Sequence, residues 1–370
     1  MTPTLAAALA FSCALLPLTA AAEEPAHKPG FPSTIDAGAW PAGHVQGIAV
    51  DRKRGCIYLS FTRLLVKIDF QGKVIGTVAG FTGHLGDLDI DEADGRVYGS
   101  LEYKAKNAFY IAIIEGTKID REGMQAQGSD IFRTVYLSEV VADYSADMNG
   151  DGHFDGDKAE TPDHRYGCSG IDGVSFGPHF GKTDGQPYLT VAYGIYSNTQ
   201  RTDNDHQVLL QYDASDWATR YARPLDEGEP HKSGPAAVDG KYFVRTGNTT
   251  YGVQNLEYDE SSKLWLMGVY AGKKPGFPNY TLFAVGAASP PASGKIAGTE
   301  DSGLLLPLAP LGQGDSSAGV RGWFQKADVG MASLGDGLFY LAVNSKREGK
   351  EAATLTLQKW TGDPEEPFGK

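Results

Sequence analysis

Long apolar runs are scarce in this chain. Beyond residue 22 every one is broken by charge, glycine or proline within a few residues, which excludes a helical membrane span there. Cysteine is nearly absent, with three in 370 residues; one is Cys13, and neither Cys56 nor Cys168 sits in a plausible nucleophile setting. Positive charge is outweighed: 33 Lys and Arg against 46 Asp and Glu leave a net charge of −13. A surface of that sign excludes sequence-independent nucleic-acid binding, which depends on a basic face. A small basic pocket for an anionic ligand remains compatible with it. Also missing are the G-x-S-x-G elbow, the Walker loop, H-E-x-x-H and the dinucleotide-binding glycine pattern. No segment of convincing length has a helical period.

Turn and strand formers are plentiful, with 47 Gly and 18 Tyr, which suits an all-β fold. Residues 1–22 are uncharged, rich in Ala and Leu, and end in Ala20-Ala21-Ala22 before Glu23-Glu24. That is the small-residue pattern at which a secretory signal is cleaved, although the usual positive start is missing. The expectation is a leader over 1–22 and a secreted or periplasmic single domain over 23–370. In that compartment Cys56 and Cys168 have the option of pairing, which spacing alone does not decide.

The strongest signal is an internal repeat. His44-Val-Gln-Gly-Ile-Ala-Val-Asp51 aligns with His84-Leu-Gly-Asp-Leu-Asp-Ile-Asp91 at an offset of 84 − 44 = 40 residues. The alignment continues without a gap through Gly55 on Gly95, Tyr58 on Tyr98 and Ser60 on Ser100. Short strands between tight turns at a period of about 40 residues predict a β-propeller of four-stranded antiparallel blades. Later blades open near Asp172, Gln254 and Lys326, giving five clear blades, with six possible. The last has only three obvious strands, so Thr34–Trp40 is expected to supply its fourth and lock the ring. Trp217–Ala222 reads as a strand of blade three, Ala236–Arg245 as a partial blade or inserted hairpin, and Ala287–Gly298 as a loop.

On HVQGIAVD, GHLGDLDID and NLEYD the chain resembles secreted bacterial β-propeller proteins with NHL- or gluconolactonase-like repeats. Blocks such as HRYGCSGIDGVSFGP and TGNTTYGVQNLEYD look like those of such propellers. The resemblance implies the fold and carries no activity with it, because propellers host hydrolases, lyases and plain binders.

Three groups of residues point to chemistry. Asp147, Asn149, Asp151, Gly152, His153 and Asp155 follow an EF-hand-like spacing inside an insertion at 141–168. Oxygen donors alternating before a sharp glycine turn suit calcium in a structural role, although Lys158 stands where a bidentate Glu belongs. A solvated acidic turn fits the same pattern. Next, His44 and His84 precede equivalent inner strands, so they should face one mouth; the structural Gly-His step of WD repeats is the competing role. Gln46, Asp87, Asp172, Gln254, Asn255 and Lys326 fall at corresponding strand starts and predict a polar, ligand-sized mouth. Finally, Arg165, Tyr166, Arg245 and Tyr251 lie near strand ends that can share this face.

These residues make an extracellular carbohydrate-active enzyme the leading expectation. His44, His84, Tyr166, Arg165 and Arg245 would be the catalytic set of a polysaccharide (uronate) lyase, with Arg neutralising the carboxylate and His or Tyr moving protons. A glycosidase would instead pair Asp87 with Asp172. Gln46, Asp87, Asp172, Tyr251, Gln254, Asn255 and Lys326 would bind an oligo- or polysaccharide or another small ligand. The alternatives are a non-catalytic ligand-binding or scaffold propeller, and a metal-dependent esterase or lactonase.

Overall fold

The repeated Asp-x-x-x-Gly unit makes the same corner each time. Gly55 donates its N–H to the carbonyl of Asp51 at 2.9 Å, and Gly95 to that of Asp91 at 2.7 Å. Both glycines have positive φ, 67° and 79°, a conformation that costs any residue with a Cβ. Each corner therefore reverses the chain between the first two strands of a blade. The computed structural model describes Met1 and residues 30–369, so the expected leader lies outside the described residues.

Five sheets form the five blades of a propeller. Blade one runs Val45–Asp51, Cys56–Phe61, Leu64–Asp69 and Val74–Ala79, and blade two runs His84–Asp91, Arg96–Tyr103, Ala108–Glu115 and Phe132–Tyr136. Blade three comprises Cys168–Gly177, Tyr188–Ile195, His206–Tyr212 and Gly240–Arg245; blade four contains Thr250–Asp259, Leu264–Tyr270 and Leu282–Gly286. Blade five is Met331–Gly335, Leu338–Arg347 and Lys350–Trp360, with Thr34–Trp40 as its further strand. That early strand pairs antiparallel with the last long one, from Thr34 opposite Thr356 to Trp40 opposite Glu351. The ring is closed by strand pairing between the two ends of the domain, as the missing fourth strand predicts.

Apolar side chains fill the spaces between blades. Ala49, Tyr58 and Leu65 of blade one meet Leu85, Val97 and Ile114 of blade two in one buried cluster. Burying each large aliphatic contributes about 1.5–3 kcal/mol, so the sheets are held face to face around the ring. Along the axis the inner strands approach closely. A Cβ on Gly47 would lie 2.5 Å from the Cα of Asp87, so this crossing of blades one and two requires glycine.

Three local expectations are corrected. Trp217–Arg220 is a helical turn, begun by the N–H of Arg220 on the carbonyl of Asp216, with Trp217 buried against Tyr212. The fourth strand of blade three is Gly240–Arg245 instead, paired along its length with His206–Tyr212. Ala287–Gly298, expected as a loop, contains the strand Ala292–Lys295; it forms a hairpin with Ser302–Leu306, which joins Gly240–Arg245 in parallel. A short helix, Ser138–Tyr144, leads into the insertion. Cys56 and Cys168 are buried and unpaired, on different blades. No helix among the described residues is long and apolar enough to cross a membrane.

Candidate active site at the mouth of the propeller

His84 is the first residue of blade two's inner strand, and the register sets Glu102 of the neighbouring strand directly opposite it. Cross-strand partners on one face are within side-chain reach, and His84 Nδ1 stands 3.4 Å from Glu102 Oε2. The other carboxylate oxygen of Glu102 accepts the N–H of Ile171 in blade three at 2.7 Å. Space for that carboxylate is reserved by Gly170, whose φ is +124° and where a Cβ would sit 1.8 Å from Glu102 Oε1. With Nδ1 turned to Glu102, the Nε2 of a neutral His84 is left as a base, the arrangement by which a carboxylate orients a catalytic imidazole. Lys104 lies on the same blade, its ammonium 3.8 Å from Glu102 Oε2.

Blades three and four supply the facing wall. Asp172 Oδ2 accepts a hydrogen bond from Gln254 Nε2 at 2.9 Å, and the same amide donates to the carbonyl of Tyr251 at 2.8 Å. Tyr251 is 51% exposed and has φ of +63°, a strained conformation for a bulky residue that clusters at functional sites. The Lys104 ammonium lies 5.9 Å from the centre of its ring. Tyr196 donates to Asp157, which the insertion delivers to the rim. These groups, with His44, Gln46 and Tyr270, line a cavity of about 530 Å³.

The charges in this cavity are strongly coupled. Burial opposes protonation of His84, but the hydrogen bond to Glu102 and the charges of Asp172 and Glu102 outweigh it, and its pKa is raised. Lys104 shows the same balance: burial works against its charge, and Glu102, Asp157 and Asp172 raise its pKa overall. Burial lifts Asp172 to about 7, with Glu102 adding to the rise and His84 and Lys104 opposing it. His44 is lowered, chiefly by burial, and among the described residues its Nδ1 has no hydrogen-bond partner. A raised base beside an acid that holds its proton near neutrality is a pairing suited to proton transfer.

Of the residues singled out from sequence, His44, Gln46, His84, Asp172, Tyr251 and Gln254 come together here. Asp87 and Asn255 do not: both are fully buried on the axis, where Asn255 donates to Asp87 Oδ1 at 2.7 Å. A hydrolytic carboxylate pair of Asp87 with Asp172 is therefore not assembled in the cavity. Tyr166 packs on Phe243 and donates to Asp301. Arg165 is exposed and reaches only to 4.0 Å from Asp143. Arg245 is exposed and lies over Phe277. Lys326 lines a neighbouring cavity. The cation at the mouth is Lys104, not an arginine, and sequence reasoning missed it together with Glu102, Asp157, Tyr196 and Tyr270.

The acidic insertion loop folds around its first carboxylate. Asp147 accepts the N–H groups of Gly150, Asp151 and Gly152; Asn149 Oδ1 accepts that of Asp151, and Asp151 Oδ1 that of His153. Asp155 instead receives Thr161 Oγ1, while buried Asp163 takes the N–H groups of Met148 and Asp155. Among the described residues no three His, Cys, Asp or Glu converge in a way that would hold a metal. The oxygen donors of this loop suit calcium.

No protein-family model matches the chain, and no curated protein matches it in sequence. Among solved structures it is similar to the Dos1 propeller, at 8% identity and a TM-score of 0.33 over 84% of this chain and 78% of that one. It is also similar to hydrazine synthase of Kuenenia stuttgartiensis, at 10% identity and a TM-score of 0.32, over 87% and 64% of the two chains. The β-propeller domain of Cps50 (Swd1) from Myceliophteria thermophila gives 8% identity and a TM-score of 0.30, over 86% and 84%.

Proposed function

We propose that this propeller is an exported carbohydrate-active enzyme that eliminates across a glycosidic linkage of an acidic sugar at its central mouth. The observation that carries the reading is the His84–Glu102 pair, set 3.4 Å apart in a polar cavity that also holds a lysine. A uronate carboxylate beside the Lys104 ammonium has its charge neutralised, which acidifies the neighbouring C5–H. His84 Nε2 takes that proton, C4=C5 forms and C4–O breaks. The departing oxygen takes a proton from Asp172, which retains one near neutral pH. Glu102 holds the imidazole and stabilises the imidazolium that results. Tyr251 and Tyr270 offer rings on which a sugar can stack.

The test is a panel of acidic polysaccharides, including pectate, alginate and glycosaminoglycans, monitored for unsaturated products by ultraviolet absorbance and mass spectrometry. The expected result is product from at least one of them, lost on His84→Ala and on Glu102→Gln. Saturated cleavage products would point to hydrolysis. Binding without any product would leave a ligand-binding propeller. We propose further that the 147–155 loop takes up calcium in a structural role, with oxygens from Asp147, Asn149, Asp151 and Asp155 and the His153 carbonyl. Chelation should then lower the melting temperature, because a ligand of the folded state stabilises it by mass action. An unchanged melt and no calcium by elemental analysis would leave an acidic turn.

A further inference from the structure

The central cavity shares walls with two others. Tyr270 separates it from a cavity of about 580 Å³ that is lined by Lys326, Asp328, Asn344 and Gln358. His84, Glu102 and Lys104 also line a further cavity of about 460 Å³ that contains Thr82 and Lys106. Each is of a size that encloses a small ligand, about 300–1,000 Å³. We propose that the three form one groove, which binds a linear oligosaccharide carrying several negative charges and places an interior linkage beside His84. This rests on the reading of the central cavity as an acid–base site for acidic sugars, and adds the substrate's length, its charge pattern and attack within the chain.

Two observations make the groove continuous. Tyr270 is half-buried, and the charges of Asp328 on one side and Asp172 on the other both act on its hydroxyl. Its ring therefore stands between the two cavities as a shared wall on which a sugar can rest. His84, Glu102 and Lys104 likewise belong to the central and third cavities at once.

Lysines recur along the path: Lys326 in one wing, Lys104 at the centre and Lys106 in the other. Each cavity thus holds a lysine, beside Glu102, Asp157 and Asp172 at the centre and Asp328 in the first wing. Lys106 donates to the carbonyl of Glu227, a neutral acceptor that leaves its charge in place. The Glu227 carboxylate is occupied by Thr82 and Tyr103. Lys326 is opposed by Asp328, whose proton affinity burial raises and Lys326 lowers. A repeating anion fits this pattern better than a single acidic sugar, and a neutral glycan would leave the lysines unused.

Oligogalacturonates and oligoalginates of defined length, with neutral xylo-oligosaccharides as controls, test the proposal by calorimetry on the Glu102→Gln protein, which slows turnover. The acidic hexamer should bind at least about tenfold more tightly than the dimer, one decade being about 1.4 kcal/mol. Adding Lys326→Ala or Lys106→Ala, both exposed positions, should remove most of that gain and leave dimer binding unchanged. Products from the otherwise wild-type enzyme should begin as mid-length fragments. Equal affinity for dimer and hexamer, no effect of either lysine, or equal binding of neutral oligomers would overturn the groove. Turnover of the dimer at full rate in that case would leave the central acid–base reading standing. No binding or turnover of any acidic oligomer would overturn both.

Discussion

Asp87 and Asp172 are buried carboxylates on the inner strands of adjacent blades, and they have opposite fates. Asp87 is on the axis with every oxygen in use: Oδ2 accepts the N–H groups of Val174 and Leu256, at 3.0 and 2.9 Å, and Oδ1 accepts Asn255. It ties blade two to blades three and four. Asp172 accepts one side-chain hydrogen bond among the described residues, from Gln254, and otherwise faces His84, Glu102 and Lys104 across the cavity. Satisfied buried polar groups specify a fold, while an under-satisfied one in a cleft marks a functional site. His84 and Asp87 are only three positions apart on one strand, so depth along the strand separates the two roles.

The largest effect that would break this comparison falls on Asp87. Asp87→Ala leaves two backbone N–H groups and one N–H of the Asn255 amide without an acceptor, at about 1–3 kcal/mol each, while the amide keeps its bond to the Gln46 carbonyl. The sum is a large part of a stability of about 5–15 kcal/mol. Thermal melts should show severe destabilisation or no folded protein, whereas His84→Ala should melt close to the parent. If His84→Ala were the more destabilising, the mouth histidine would be a structural Gly-His step.

Glu102→Gln comes next. The amide oxygen can still accept the Ile171 N–H, so the fold should survive, but the imidazole loses its anionic partner. A fall in kcat of about 10²–10⁴, the usual scale of general acid–base catalysis, is expected on whichever substrate is found. A change confined to KM would make Glu102 a binding group instead.

Asp172→Asn sharpens the contrast through pH. The pKa of Asp172 is raised to about 7 from an unfolded value of 3.8. Between those values the folded state holds the extra proton. The stability linked to it is therefore fully present below about pH 4 and is lost as pH rises to about 7. The Asn variant, which never ionises, should gain on the parent over that window and hold its advantage above it. Urea unfolding from pH 5 to 8 measures this; parallel curves for the two proteins would contradict the raised value.

The smallest effect is expected at the ring closure. Arg347 and Asp36 form an ion pair at 2.8 Å across the closing strands, largely exposed to solvent. Such pairs are screened and contribute little. Arg347→Ala should not measurably shift the melt, because strand pairing and the burial of Ile35 and Leu355 hold the closure.

Much of the architecture was legible because the repeat is spaced by its turns. Gly55 and Gly95 mark identical corners, and the shortage of strands in the last blade exposed the role of Thr34–Trp40. Placement of His44 and His84 at one mouth followed from the same offset. Glu102 was hidden by a register shift between Leu85 and Leu88, which moves the pairing of blade two's inner strand by one residue. Counting back from the turn at Gly95 without that bulge sets His84 opposite Tyr103, on the other face of the sheet. Asp157 was hidden for another reason, since nothing local shows that a long insertion folds back to the rim. Arg165, Tyr166 and Arg245 misled because nearness to a strand end does not say which way a side chain turns. Tyr166, at φ of +59° in a tight turn, points away from the mouth and onto Phe243.

The central claim is that Glu102 tunes and orients His84 as the base of the mouth. The most direct measurement is an NMR titration of the histidine ring nitrogens in the parent and in Glu102→Gln, with His84→Ala used to assign the signal. The account predicts a His84 pKa above the ordinary imidazole value, a proton on Nδ1 in the neutral form, and a fall in that pKa when Glu102 is neutralised. A His84 that titrates at its ordinary value, unchanged by Glu102→Gln and with its proton on Nε2, would contradict it.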